Sequence, residues 1–118
     1  MKAIQVKKTG GPEALVLVDL PNPIPKPNEA LVEIKAAGVN FIDVYFREGR
    51  YPAATPFVIG QEAAGVVAAI GAEVKDIRPG DRLPYTGIQG SYAVYDAVPP
   101  HRLGHIHTKP DFPPTGAA

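Results

Sequence analysis

Apolar and polar residues alternate along much of this chain with a two-residue period, the mark of strands with one buried face. The clearest case is Glu29 to Ala37: Ala30, Val32, Ile34 and Ala36 fall on one face, Glu33 and Lys35 on the other, and Gly38 ends the run. Ala3 to Lys8 predicts a shorter strand, closed by a turn at Gly10-Gly11-Pro12, and Ala14 to Asp19 predicts a second, mostly apolar one. Glu62 to Ile70 reads as a buried strand in which Gly65 and the alanines imply close backbone packing. Pro79-Gly80-Asp81 places proline and glycine where a type II turn wants them and leads into a strand from Arg82 to Thr86. Gly90 to Val98 and Leu103 to His107 supply the last two strand candidates.

One segment changes period. Phe41, Val44 and Tyr45 stand at i, i+3 and i+4, so a helix puts them on one face. Asn40 can cap that helix and Asp43, three residues on, can complete a capping box of acidic kind. Asp43 and Arg47 are spaced to pair, and Gly49 is a left-handed stop, so the spacing predicts a helix from Phe41 to about Glu48. Pro21, Pro23, Pro25 and Pro27 each fix φ and extend the residue before them; they predict an extended surface connection rather than a ligand for another domain. The tail from Lys109 to Ala118 is irregular. Six or seven short strands and one short helix make a mainly-β domain, a partly open barrel.

Composition narrows the function classes. The chain has 118 residues, room for one domain, and 45% of them are hydrophobic, ordinary for a globular fold. Lysine and arginine total 12 and aspartate and glutamate 12, so no net field gathers nucleic acid or an anionic membrane. No apolar run suits a membrane span or a signal peptide. The cysteine count of 0 removes disulfides, thiolate zinc sites and cysteine nucleophiles together, and fits a reducing cytoplasmic setting. His105 and His107 share a strand face but have no third ligand nearby, and Ser91 has no assigned base.

Five segments, taken in order, carry a resemblance. They are Met1-Lys2-Ala3-Ile4 with Gly10-Gly11-Pro12-Glu13; Ala36 to Tyr45 continuing through Arg47 to Pro52; Ile59 to Val67; Pro79 to Leu83; and Gly90-Ser91-Tyr92-Ala93. Together they resemble the medium-chain dehydrogenase/reductase superfamily, in its zinc-independent quinone oxidoreductase (zeta-crystallin-like) branch. The resemblance covers residues 1–107, which it implies to be a GroES-like, alcohol-dehydrogenase-type domain: a partly open β-barrel with one or two short helices. Zinc-binding relatives carry cysteine at the position of Asn40 and Gly-His-Glu at Gly60-Gln61-Glu62. Two amides in those places would hold zinc poorly, so no metal is expected.

What the resemblance implies for chemistry follows. A quinone accepts electrons without Lewis-acid help, NADPH carries the hydride, and the protein supplies position and hydrogen bonds. The residues carried over are Asn40, Phe41, Asp43, Tyr45 and Gln61 toward the cofactor, with Asn40, Tyr45 and Tyr51 toward a quinone or activated alkene. Each has a plainer reading beside it. Asn40 can be only a helix cap, Asp43 a surface partner of Arg47, Tyr45 a core residue on the Phe41/Val44 face, and Tyr51 loop packing. Gln61 and Glu62 can be structural, Glu62 pairing with a basic side chain. Residues 108–118 are expected to lead toward a cofactor-binding Rossmann domain that this chain lacks, along with its glycine-rich phosphate loop. Such a chain is expected to be inactive alone, to bind NADPH weakly, and to self-associate through the uncovered interdomain face. It would be a cut-out domain, a naturally shortened product or the ordered part of something longer. An enal or enoyl reductase domain of the same superfamily and a stand-alone interaction module are the alternatives.

Overall fold

Small and β-branched residues dominate the chain between positions 30 and 70, and they build the centre of the domain. A computed structural model describes residues 1–104. The strands are β1 (Lys2–Val6), β2 (Leu15–Asp19), β3 (Ala30–Gly38), β4 (Phe57–Val58), β5 (Glu62–Ile70), β6 (Arg82–Thr86) and β7 (Tyr95–Val98), with one helix, α1 (Phe41–Glu48). Single 3-10 turns occupy Pro12–Ala14 and Pro100–Arg102. The strands form two antiparallel sheets, ordered β2-β1-β4 and β6-β5-β3-β7, an open arrangement in keeping with the mainly-β, partly open reading. Among the described residues no helix is long and apolar enough to cross a membrane.

The alternation read from Ala30 onward sets the core. Ala30 and Val32 of β3 point inward against Ala63 and Val67 of β5, Leu83 and Tyr85 of β6, and Val98 of β7. Each fully buried valine or leucine contributes about 1.5–3 kcal/mol by leaving water. At Gly65 there is no room for a side chain between β5 and β3: it lies opposite Ile34, and an added carbon would begin 2.2 Å from the Glu33 carbonyl oxygen. Gly80, at φ +94, turns the chain between Arg78 and Asp81 as the type II reading requires.

One reading is corrected. Gly90 to Val98 is not one strand; only Tyr95–Val98 is. Gly90 takes φ +127, and it and Ser91 both donate to the Gly60 carbonyl at 2.8 and 3.2 Å. The Tyr92 carbonyl then accepts from Ile4 of the first sheet, and the Val94 carbonyl from Ile34 of the second. The segment alternates like a strand because it bonds throughout, but it changes sheets midway. Leu103 makes an isolated bridge to Tyr85, and residues 105–107 of that strand candidate, with His105 and His107, lie outside the described residues. Strand β4, only two residues long, left no periodic signal. The proline-rich connection carries no strand or helix, as expected.

One buried polar pair sits in the core wall. The Tyr85 hydroxyl donates to Asp96 Oδ2 at 2.7 Å. Burial pushes the Asp96 carboxyl from 3.8 up to about 7, against the opposing pull of the Tyr85 bond. The folded state therefore holds a proton that the unfolded chain releases between these values. Stability falls as pH rises across that window and is level above it, with a slope of at most about 1.4 kcal/mol per pH unit from this group. Asp96→Asn is expected to flatten the slope, read from urea midpoints across the window. A variant that keeps the wild-type slope would assign it to other groups.

Candidate functional site

The polar half of the site is built where β3 runs into α1. Asn40 leaves the sheet with extended backbone (φ −131, ψ 156) and caps the helix. The Asp43 carboxylate reaches back to accept from Asn40 N–H at 3.1 Å, closing the capping box the spacing predicts. Asp43 is 5% exposed, an unusual burial for an acid in a first helical turn. Its second partner explains this: the Tyr92 hydroxyl donates to the same oxygen at 2.6 Å. Burial, then the adjacent carboxylate, pushes the Tyr92 phenol well above its ordinary range, so it remains a donor at all moderate pH.

The Asn40 side chain is held from the other side. Its Nδ2 donates to Glu62 Oε1 at 2.8 Å. Glu62 opens β5 directly opposite Gly38, and a side chain on Gly38 would begin 2.5 Å from that oxygen, so the glycine keeps the path clear. Gln61 comes next to it; its carbonyl accepts from Gly87 N–H at 2.9 Å and its side chain is half-buried. Gly60, at φ +103, admits the Ser91–Tyr92 turn: an added carbon there would meet Ser91 Oγ at 2.3 Å and the Tyr92 ring at 2.4 Å.

The aromatic half lies along α1 and the loop after it. Gly49 ends the helix in the left-handed region at φ +84, and Arg50 and Tyr51 N–H both turn back to the Tyr45 carbonyl. The turn brings Tyr51 edge-on to Tyr45, with centroids 5.5 Å apart, and to Phe46 at 5.6 Å. The Arg50 guanidinium lies 5.7 Å over the Tyr45 ring. Phe41 and Val39 flank Asn40 and are 84% and 82% exposed, large apolar groups turned to solvent. An open groove of about 460 Å³ between β1 and β3 shares Val39 and Tyr92 with this region.

The geometry corrects three plainer readings. Asp43 does not pair with Arg47; Arg47 instead donates to the Gly10 carbonyl at 3.2 Å and faces Glu48 at 3.5 Å. Phe41 is not part of a core face shared with Val44 and Tyr45, because the buried side of the helix is the one carrying Asp43. Glu62 takes an amide rather than a basic side chain. Tyr51 packs on the Tyr45 and Phe46 rings, in line with its plainer loop-packing reading, and stays partly exposed. Sequence reasoning missed Tyr92, whose bond to Asp43 spans 49 residues and leaves no mark in local spacing. Among the described residues no group of three histidine, cysteine, aspartate or glutamate side chains converges as metal ligands would.

Comparison with known proteins fits this frame. The family model for the alcohol dehydrogenase GroES-like domain matches residues 26–108. A probable quinone oxidoreductase of Schizosaccharomyces pombe is 41% identical over 107 residues, covering 90% of this chain and 32% of that protein. A quinone oxidoreductase structure from Pseudomonas syringae superposes with a TM-score of 0.86 at 44% identity, covering 89% of this chain and 33% of that one. A mycobacterial protein solved in complex with NADPH gives 0.85 at 44% identity, with 90% and 34% covered. The chain spans about a third of the length of the curated relatives it matches. With an open two-sheet β fold, a capped helix after the central strand and a family match across most of its length, the chain belongs to the alcohol dehydrogenase GroES-like domain family.

Proposed function

We propose that this chain forms the substrate and nicotinamide wall of a quinone reductase whose cofactor-binding domain lies in the remainder of a longer protein. Residues 1–107 are the catalytic-type domain in this reading, and 108–118 lead toward the partner domain. The observation that carries it is the exposed Asn40, whose amide is fixed by Glu62 and whose backbone is fixed by the buried Asp43. A side chain held through its Nδ2 and anchored at its backbone N–H is preorganised to meet a carboxamide or a quinone oxygen without reordering.

The residues present suit NADPH. Exposed Phe41 and Val39 offer an apolar surface beside the Asn40 amide, and Gln61 adds a second amide close to Glu62. When bound, NADPH supplies hydride for quinone reduction. Asn40 and Gln61 orient the polar edge of a nicotinamide, Phe41 covers its ring, and Asp43 acts by holding Asn40. Tyr45 and Tyr51 present rings to a flat quinone, with Arg50 stacked behind Tyr45. The relatives' quinone oxidoreductase names and the NADPH complex support this assignment. The same exposed Val39 and Phe41 are the face for the second domain, and in the isolated chain a surface for self-association.

Fusing this chain to the remaining two thirds of the Pseudomonas syringae quinone oxidoreductase tests the assignment. The chimera is expected to oxidise NADPH with a quinone, the chain alone to show no turnover. Asn40→Ala in the chimera is expected to lower kcat/KM by about tenfold or more, the loss of one positioned hydrogen bond. A folded chimera that binds NADPH and leaves quinones unreduced would overturn the proposal.

A further inference from the structure

Strand β2 ends its sheet, paired with β1 on one side and with no other strand among the described residues. The register fixes which of its main-chain groups are open. Leu20 N–H donates to the Met1 carbonyl at 2.9 Å, and the Met1 ammonium donates to the Leu20 carbonyl, so these two residues form a hydrogen-bonded pair. Hydrogen-bonded pairs alternate along an antiparallel ladder. In this unbroken register Ala3 therefore bonds Val18 and Gln5 bonds Val16, while Leu15, Leu17 and Asp19 turn their main-chain groups away from β1. The neighbours agree. Ile4, opposite Leu17, bonds outward to Tyr92 and Ile59, and Leu15 N–H is taken by the Pro12 carbonyl. The N–H groups of Leu17 and Asp19 and the carbonyls of Leu15, Leu17 and Asp19 have no main-chain partner among the described residues.

Folds commonly blunt such an edge with proline, lysine, a bulge or a covering loop. Leu15–Asp19 has no proline or lysine, its register has no shift, and Leu15, Val16 and Leu17 are 39%, 38% and 65% exposed. Its one charge, Asp19, is matched by Lys2 at 2.8 Å and by the Met1 ammonium at 3.6 Å. We propose that this edge pairs antiparallel with the same edge of a second copy of the chain, about a two-fold axis at Leu17. The occupant follows from self-complementarity. At that register the two Leu17 residues exchange N–H···O=C bonds, and each Asp19 N–H meets the Leu15 carbonyl of the other copy. The engaged Leu15 N–H idles only the Asp19 carbonyl. Val16 faces Val18 across the join, Leu17 faces Leu17, and the two Asp19–Lys2 pairs lie at opposite ends. Centring on Val18 instead sets the Leu15 carbonyl against Pro21, which has no N–H, and centring on Asp19 sets two carboxylates side by side. A formal net charge of +0 adds no repulsion between copies. The edge is separate from the Val39 and Phe41 face and from the residues of the proposed nicotinamide wall, so its test is independent of that reading.

Amide hydrogen exchange by NMR on the isotopically labelled chain, from micromolar to millimolar concentration, tests the pairing alongside sedimentation equilibrium. A monomer–dimer equilibrium is expected. The Leu17 and Asp19 amides slow as dimer forms, while those of Val16 and Val18, already bonded to β1, change little. Leu17→Lys is expected to weaken the dimer about tenfold or more, because two like charges then meet at the axis. Retained Val16 and Val18 protection shows that the β1–β2 hairpin of that variant is intact. Phe41→Ser, on the separate apolar face, is expected to leave the slowing at Leu17 and Asp19 in place. A chain that stays monomeric at millimolar concentration, a dimer whose Leu17 and Asp19 amides exchange as fast as in dilute solution, or a Leu17→Lys protein that dimerises like wild type would each overturn the proposal. So would protection of both amides in a monomeric fusion to the remainder of the Pseudomonas syringae enzyme, which would make that remainder the occupant of the edge.

Discussion

Gly65→Ala is expected to destabilise the domain by about 3 kcal/mol or more, the upper end for overpacking, because the obstacle is main chain. The added methyl would begin 2.2 Å from the Glu33 carbonyl oxygen, 2.6 Å from Val32 Cγ1 and 3.0 Å from the Glu33 carbonyl carbon. A flexible side chain could swing aside; a strand held on both edges cannot. Strand β3 pairs with β5 on one side and with β7 on the other, where Glu33 faces Tyr95. Moving Glu33 would thus break a second ladder. Gly80→Ala is the control. Gly80 has positive φ and nothing within 4 Å of an added carbon, so it meets only backbone strain, about 1–2 kcal/mol. Chemical denaturation of both variants measures the contrast. A Gly65→Ala protein no less stable than Gly80→Ala would show that the two strands do not approach as described.

Asp43→Ala carries the second large effect, about 3 kcal/mol, and its loss is expected to reach Asn40. Removing the carboxylate strips the Tyr92 hydroxyl and the Asn40 N–H of their acceptor in a region where Asp43 is nearly inaccessible to water. Tyr92→Phe alone removes one of the two bonds. If the three groups act together, the double variant costs clearly less than the sum of the singles. Side-chain amide signals of Asn40 read the positional consequence: they broaden or shift in Asp43→Ala while Gly80→Ala leaves them in place. Strict additivity, with unchanged Asn40 signals, would reduce Asp43 to an ordinary helix cap.

The parts of the molecule that were legible in the sequence are those governed by neighbours in the chain. The alternation from Ala30, the helix from Phe41 to Glu48 with its Gly49 stop, the strand from Glu62 to Ile70 and the turn at Gly80 all depend on local periodicity or backbone preference. Asn40 and Asp43 were legible as a capping box for the same reason. What escaped depends on distant partners. Nothing near Tyr92 announces that it meets Asp43, and nothing near Gly90 announces that the chain there changes sheets, since hydrogen bonding to two successive partners looks like continuous strand. The mistaken Asp43–Arg47 pair has the same origin. A four-residue spacing makes the pair possible, but burial of one member and the Gly10 carbonyl near the other decide otherwise.

The amide and the rings of the candidate site are supported in different ways. Asn40 depends on Glu62, Asp43 and Tyr92, and through them on both sheets. Tyr45, Phe46 and Tyr51 mainly hold one another, outside the core cluster. A substitution among the rings is therefore expected to leave the Asn40 amide in place, whereas a change at Glu62 or Asp43 loosens it and is felt in the sheets as well.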